Sequence, residues 1–192
     1  STTMANFSDV SQDNWAKTAI EKLADANIIS GYEDGTFKPD NSLTRAEFAA
    51  LLNKAFPDKP FMREAIEVTD VASDYWAKEA IQETYRKGFL TGYEGKIFLP
   101  EKEIPRVQVL VALASGLGYQ PSQPAEETLK KVFEDAADIP GYGISALAAA
   151  AEKSIVVNYP NVKKLEPNRG STRAEVAAFL SQADRKSTRL NS

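Results

Sequence analysis

The chain of 192 residues, 43% hydrophobic and 26% charged, has the make-up of a folded protein rather than a disordered one. Its formal charge of -4, with no long basic run, removes the electrostatic footprint that binding to nucleic acid requires. With no cysteine and no histidine, Ser-His-Asp and Cys-His catalysis, zinc sites built on those residues and histidine proton transfer are all excluded, leaving carboxylate, lysine and tyrosine chemistry.

From the N-terminus, "STTMANFSDV" offers neither a basic n-region nor an apolar h-region, so it does not read as a secretory signal. The segment "FSDVSQDNWAKTAIEKLADANIISGYEDGTFKPDNSLTRAE" then sets a pattern. Asp9 reads as a cap on the approach to a helix. Trp15, Ala19, Ile20, Leu23 and Ala24 recur at helical period, and the helix should stop near Asn27, a residue that tolerates the left-handed conformation. "SGYEDGTFKPD" is a turn-rich loop. Thr44 with Glu47 forms a capping box for a second helix with Phe48, Leu51, Leu52 and Phe56 on its apolar face.

After the polar link "FPDKPFMREAIE" the pattern returns: Asp70, Trp76, Ile81, Gly92, Tyr93, Phe98, Pro100 and Arg106 match Asp9, Trp15, Ile20, Gly31, Tyr32, Phe37, Pro39 and Arg45 at one constant offset. The first helix of this copy carries Trp76, Ala80, Ile81 and Tyr85 on one face and should end at Gly88. Its second helix has Pro105 in place of the capping threonine and Gln108 in place of the glutamate. Val107, Val109, Leu110, Val111, Leu113 and Leu117 make that helix apolar nearly all round, so it is expected to lie deepest, flanked by the other second helices. Even so, the run Val107 to Ala114 is far short of the about 20 residues that span a bilayer.

"YQPSQPAEETLKK" reads as a second connector. A looser third copy follows, with Asp135, Tyr142, Asn158, Tyr159, Leu165, Pro167 and Arg173 in the corresponding roles, Ser154 as a weaker helix stop, and Thr172 with Glu175 as the capping box. The repeats are placed at 5–57, 66–119 and 131–183, and the tail 184–192, "DRKSTRLNS", matches none of them and reads as appended read-through sequence. Units of about 50 residues bury too little apolar surface to stand alone, so they should pack on one another.

Each copy carries an arginine in the first turn of its second helix: Arg45, Arg106 and Arg173. A cation there opposes the helix dipole by about 0.3 to 1 kcal/mol and needs compensation. One answer is an anion site, in which the guanidinium fork and free helix N–H groups hold a carboxylate through charge-assisted bonds that contribute roughly 1.5 to 3 kcal/mol. The other is that each arginine pairs with a neighbouring carboxylate such as Asp34, Glu47 or Glu175 and fixes its loop. For Trp15, Trp76, Tyr32, Tyr93, Tyr142 and Tyr159, packing in the core and contact with sugar rings both stay open. "YEDGTFKPD" lacks the alternating ligands of a calcium loop, since Glu33 and Asp34 are adjacent, and no metal or cofactor is expected. Carboxylate chemistry on a polysaccharide needs only two acids about 5 to 10 Å apart, but no acid here sits in a distinctive motif. A structural protein assembling through its own grooves is the remaining alternative.

The combination F-x-D-V, W-A-x-x-A-I, G-Y, D-G-x-F-x-P and T-R-A-E resembles the S-layer homology domain, usually found in three tandem copies, and the resemblance runs from Phe7 to about Ala183. "IPRVQVLVALASGLG" and "VVNYPNVKKLEPNRGSTRAEVAAF" look most like the cyanobacterial branch. What the resemblance implies is a mainly α protein of three tandem helix-loop-helix repeats in a pseudo-threefold arrangement around a central helical bundle. Grooves between neighbouring copies would bind secondary cell-wall polysaccharide linked to peptidoglycan, commonly through pyruvylated sugars, and so hold a larger protein in the cell envelope without catalysis. The ligand contacts would fall on Arg45, Arg106 and Arg173. Copy two, with "IPRVQ" for "TRAE", and copy three, with Tyr142 and Asn158 for the tryptophan and glycine, depart from the pattern in parts that should shape their grooves.

Overall fold

The first helix of every repeat stops by the same device. In the computed structural model, which describes residues 5–191, α1 spans Lys17–Asp25, α3 spans Lys78–Arg86 and α6 spans Ile144–Glu152. Two residues beyond each end the backbone turns left-handed, at Asn27 (φ 61), Gly88 (φ 90) and Ser154 (φ 59). The next amide then reaches back to close the helix: Ile28 N–H donates to the Leu23 carbonyl, Phe89 to Thr84 and Ile155 to Ala150. Asn and Gly enter this conformation at low cost, whereas Ser154 adopts it at a higher one. The helices begin after their tryptophans, so Trp15 and Trp76 stand before α1 and α3 rather than on their faces.

The second helices are α2 (Arg45–Ala55), α4 (Arg106–Leu117) and α7 (Arg173–Asn191). Thr44 and Glu47 form the full capping box on α2, and Thr172 and Glu175 repeat it on α7. Pro105 leaves α4 without a side-chain cap. Segment 184–191 continues α7; Ser192 and the first four residues lie outside the described residues. The second connector is not merely a link, because α5 (Ala125–Val132) forms within it and packs on α6. Proline-rich polarity hid that helix, although Glu126 and Glu127 in its first turn, Lys130 and Lys131 in its last, and the single buried Leu129 are its sequence signature. Among the described residues there is no β-strand, and no helix is long and apolar enough to cross a membrane.

Packing links each repeat to the next. The second helix of one copy lies on the first helix of another: α2 on α3, α4 on α6 and α7 on α1. The helix N-termini meet in a cycle of backbone hydrogen bonds, with Ile104 N–H donating to Leu43, Leu43 to Ser171 and Ser171 to Ile104. Large side chains such as Phe37, Phe48, Phe98 and Phe179 are fully enclosed in one core. Each contributes about 1.5 to 3 kcal/mol by burial. Gly116 in α4 admits the Phe89 ring, which would lie 2.0 Å from a Cβ at that position. That close approach offsets the roughly 1 kcal/mol that a helical glycine costs against alanine.

Two expectations need correction. The α4 helix is deep, yet the first two turns of α7 are deeper: every residue from Arg173 to Leu180 is buried before the helix opens at Ser181, whereas α4 already opens at Gln108 and Val111. The neighbours of α4 are α6 and α7, and α7, rich in small alanines, is the one that fits between α1 and α4. Asp9 and Asp70 do not cap the first helices. Asp9 accepts from the amides of Phe37 and Lys38, Asp70 from Phe98 and Leu99, and Asp135 from Leu165 and Glu166. The amides in question begin the strained turn at Lys38, Leu99 and Glu166, each at positive φ, and a carboxylate accepting two N–H groups holds that turn shut.

Candidate functional site

The three arginines are buried, at 2%, 2% and 8% exposure for Arg45, Arg106 and Arg173, and each reaches into the next repeat. Arg45 Nε donates to the Phe98 carbonyl (2.9 Å) and its terminal nitrogens to the Thr91 carbonyl (2.6 Å) and Gln108 Oε1 (2.7 Å). Arg106 Nε donates to the Leu165 carbonyl (2.7 Å), while its terminal nitrogens meet Asn158 Oδ1 and Glu175 Oε2 (2.9 Å). Arg173 Nε donates to the Phe37 carbonyl (2.9 Å) and one terminal nitrogen to the Ser30 carbonyl (2.8 Å). Its other terminal nitrogen has no hydrogen-bond partner among the described residues. Beneath the guanidinium groups lie the rings of Phe98, Phe179 and Phe37, at 4.3, 4.8 and 4.3 Å.

This geometry changes both sequence readings of the arginines. The helix N–H groups are not free to hold an anion: Arg45 N–H donates to the Lys102 carbonyl, Ala46 to Pro100, Arg106 to Arg169, Val107 to Pro167, Arg173 to Asn41 and Ala174 to Pro39. An incoming anion would meet the guanidinium alone. Pairing with a carboxylate occurs at one arginine, Arg106 with Glu175; Asp34 instead bonds the amide and hydroxyl of Thr36. The compensation that a first-turn arginine needs comes chiefly from carbonyl groups of the next repeat. Burial pushes all three guanidinium pKa values below their ordinary range, yet they remain cations. At Glu175, burial works to raise the pKa, but the Arg169 hydrogen bonds and the Arg106 charge outweigh it and hold the carboxyl below its ordinary value.

The cavities beside Arg45 and Arg173 each draw on all three repeats rather than on two neighbours. Around Arg45 from copy one stand Tyr93 from copy two and Tyr142 from copy three, over an apolar floor of Phe89, Leu90, Val111 and Ala112, in a cavity of about 280 Å³. Arg173 from copy three shares a smaller cleft of about 130 Å³ with Ser30, Glu47, Lys54 and Trp76, and the Tyr32 ring lies 5.1 Å from its guanidinium. Beside Arg106 of copy two, Asn158 precedes Tyr159, whose ring stacks on Trp15 of copy one at 5.3 Å and 6°. Trp76, Tyr142 and Tyr159 are about 60% exposed (63%, 62% and 59%), and Tyr32 is 41% exposed. Trp15 packs partly against the core, so the two tryptophans differ in kind.

Sequence reasoning passed over Arg169, which binds Glu175 through both terminal nitrogens, and it read Gln108 only as a lost cap. The i,i+3 pair Glu166 and Arg169 was a weak local signal for the first. Nothing local could place Gln108 against Arg45, 63 residues away. Among the described residues no group of three acidic side chains is placed to hold a metal ion.

Helical repeats that close on one another and open aromatic-rimmed grooves at their seams define the class of a helical repeat module. The chain belongs to the S-layer homology family, whose domain matches residues 6–49 and 69–109. It is 34% identical to an amylopullulanase of Thermoanaerobacterium thermosulfurigenes over 91% of the chain, and 32% identical to a cellulosome-anchoring protein of Acetivibrio thermocellus over 60% of it. It is also 28% identical to the S-layer protein EA1 of Bacillus anthracis over 94% of the chain. The chain spans 9%, 26% and 20% of those proteins' own lengths, so it corresponds to one part of each. These likenesses make it a cell-surface anchoring module of the envelope.

Proposed function

We propose that this module binds an anionic secondary cell-wall polysaccharide linked to peptidoglycan, with pyruvyl ketals as the anionic groups. Its three repeats, 5–57, 66–119 and 131–183, would stand in a pseudo-threefold arrangement. The observation that carries this reading is the pairing, in the Arg45 and Arg173 grooves, of a buried guanidinium with an exposed aromatic face, Tyr142 in one and Trp76 in the other. An aromatic face packs on the apolar side of a sugar ring, and the guanidinium supplies a planar fork for the ketal carboxylate. Modest sites along one polymer add through effective concentration. The cycle of bonds among the helix N-termini supports the threefold arrangement.

The test is co-sedimentation with polysaccharide-bearing sacculi before and after mild acid removal of the pyruvyl ketals. Binding lost on depyruvylation is the expected result; equal binding before and after overturns the carboxylate reading. New reducing ends in the supernatant would make the chain an enzyme instead, and none are expected. Alanine variants of the arginines are poor probes, because truncation leaves carbonyls such as those of Phe98 and Leu165 without donors and weakens the fold itself. Trp76→Ala and Tyr142→Ala, at exposed positions, test the grooves cleanly, and each is expected to lower retention on sacculi.

A further inference from the structure

The grooves do not carry the same charge, and the difference traces to one position of the repeat. The third residue of a second helix faces the arginine of the preceding copy, so Gln108 meets Arg45 and Glu175 meets Arg106. Glu175 is 6% exposed, sits 2.9 Å from Arg106 and also takes Arg169. Asn158 occupies another Arg106 nitrogen, and Tyr159, next in sequence, stacks on Trp15. A carboxylate of the chain itself thus makes the contact that a ligand carboxylate would make.

At Arg45 the partner is a neutral amide. Gln108 accepts from the guanidinium through Oε1 and donates through Nε2 to the Tyr93 hydroxyl (2.7 Å), so the arginine is positioned without being neutralised. Among the described residues lining that cavity Arg45 is the one charged side chain. Three of its nitrogens each make one bond, which leaves two N–H groups of the five for a ligand. An anion entering here relieves a cation that burial has disfavoured. At Arg106 it would have to expel a buried carboxylate and leave that group unpaired, a far larger cost.

Resting on the reading that the grooves take a carboxylate-bearing saccharide, we infer that Gln108 keeps the Arg45 groove open as a carboxylate receptor and that Glu175 closes the Arg106 groove from within. The residue that breaks the T-R-A-E pattern in copy two is then a specificity determinant for a groove whose arginine belongs to copy one. Gln108→Glu should turn the open groove into the closed kind. Glutamate suits the first turn of a helix, and Pro105, lacking an N–H, offers no capping bond to divert it from Arg45.

The probe is the methyl glycoside of a 4,6-pyruvylated hexose, compared with its methyl ester, titrated by NMR with the Tyr142 ring of the Arg45 cavity and the Trp15 indole N–H as reporters. The folded wild type is expected to prefer the acid about tenfold or more, the worth of one charge-assisted hydrogen bond. The acid should shift the Tyr142 ring signals and leave the Trp15 indole unmoved. Gln108→Glu should erase the preference, and Glu175→Gln, where it folds, should bring the Trp15 indole into the response. Acid preference that survives Gln108→Glu at the Tyr142 ring, or a Trp15 shift in the wild type, overturns this assignment while leaving the polysaccharide reading in place. If folded wild type responds to neither probe and binds no sacculi, the polysaccharide reading falls and takes this assignment with it.

Discussion

The hub where the helix N-termini meet and the rims of the grooves come from the same repeats but have diverged to different degrees. At the hub the bonds recur almost one for one: an arginine Nε donates to the carbonyl of Phe98, Leu165 or Phe37, and an aspartate clamps the amides of that residue and the next. At the rims the equivalent positions hold Trp15 stacked on Tyr159, Trp76 largely exposed, and Tyr142 in place of a tryptophan. A backbone carbonyl is the same acceptor whatever side chain it carries, so the replacement of phenylalanine by Leu165 leaves the hub bond intact. Rim contacts are made by side chains, and there each substitution changes the chemistry.

The largest effect should come from Arg106→Ala, which leaves the Leu165 carbonyl and the buried Glu175 without their partner; a loss of about 3 to 5 kcal/mol in urea unfolding is expected. Arg173→Ala, with no carboxylate bound to it, should cost less, about 1 to 3 kcal/mol. Equal losses would break the distinction between the two grooves. Next come Asp9→Ala, Asp70→Ala and Asp135→Ala, each freeing two amides and each expected to lower stability by about 1 to 3 kcal/mol. Similar values for all three would sharpen the view of a repeated hub, and a silent member would break it.

A smaller effect concerns pH. The Glu175 carboxyl is held below its ordinary value of 4.5, so its stabilising contribution is present above that pH and is lost as pH falls through the lowered value. Thermal melts of Glu175→Gln should therefore lose part of the wild-type decline between pH 5 and about pH 3. The smallest effect on stability belongs to the open rim: Trp76→Ala should change it by no more than about 0.5 kcal/mol while weakening retention on sacculi. Trp15→Ala, which removes a stacked and partly enclosed ring, should cost more by about 0.5 to 1.5 kcal/mol.

Much of the fold was legible because its signals act within a few residues. The stops at Asn27, Gly88 and Ser154, the capping boxes of Thr44 and Thr172, and the repeated order of helix, loop and helix all follow from local backbone preference and spacing. The helix α5 was missed where composition spoke louder than charge order, and the depth of α7 because small alanines bury well without a strong apolar pattern. The candidate residues Arg45, Arg106, Arg173 and the aromatics were named from the sequence, but their groupings were not.

By itself, the amino-acid sequence determined the repeat, the helices and their ends, since a cap, a left-handed turn or an amphipathic face is decided by neighbours a few positions away. Only the tertiary structure decided that Arg45 meets Tyr93 and Tyr142, that Arg173 bonds a carbonyl 136 residues away, and that Gln108 and Glu175 answer to different arginines. Those choices depend on how the repeats close on one another. Packing of whole helices settles that, and no local preference encodes which carbonyl or carboxylate a buried guanidinium will find.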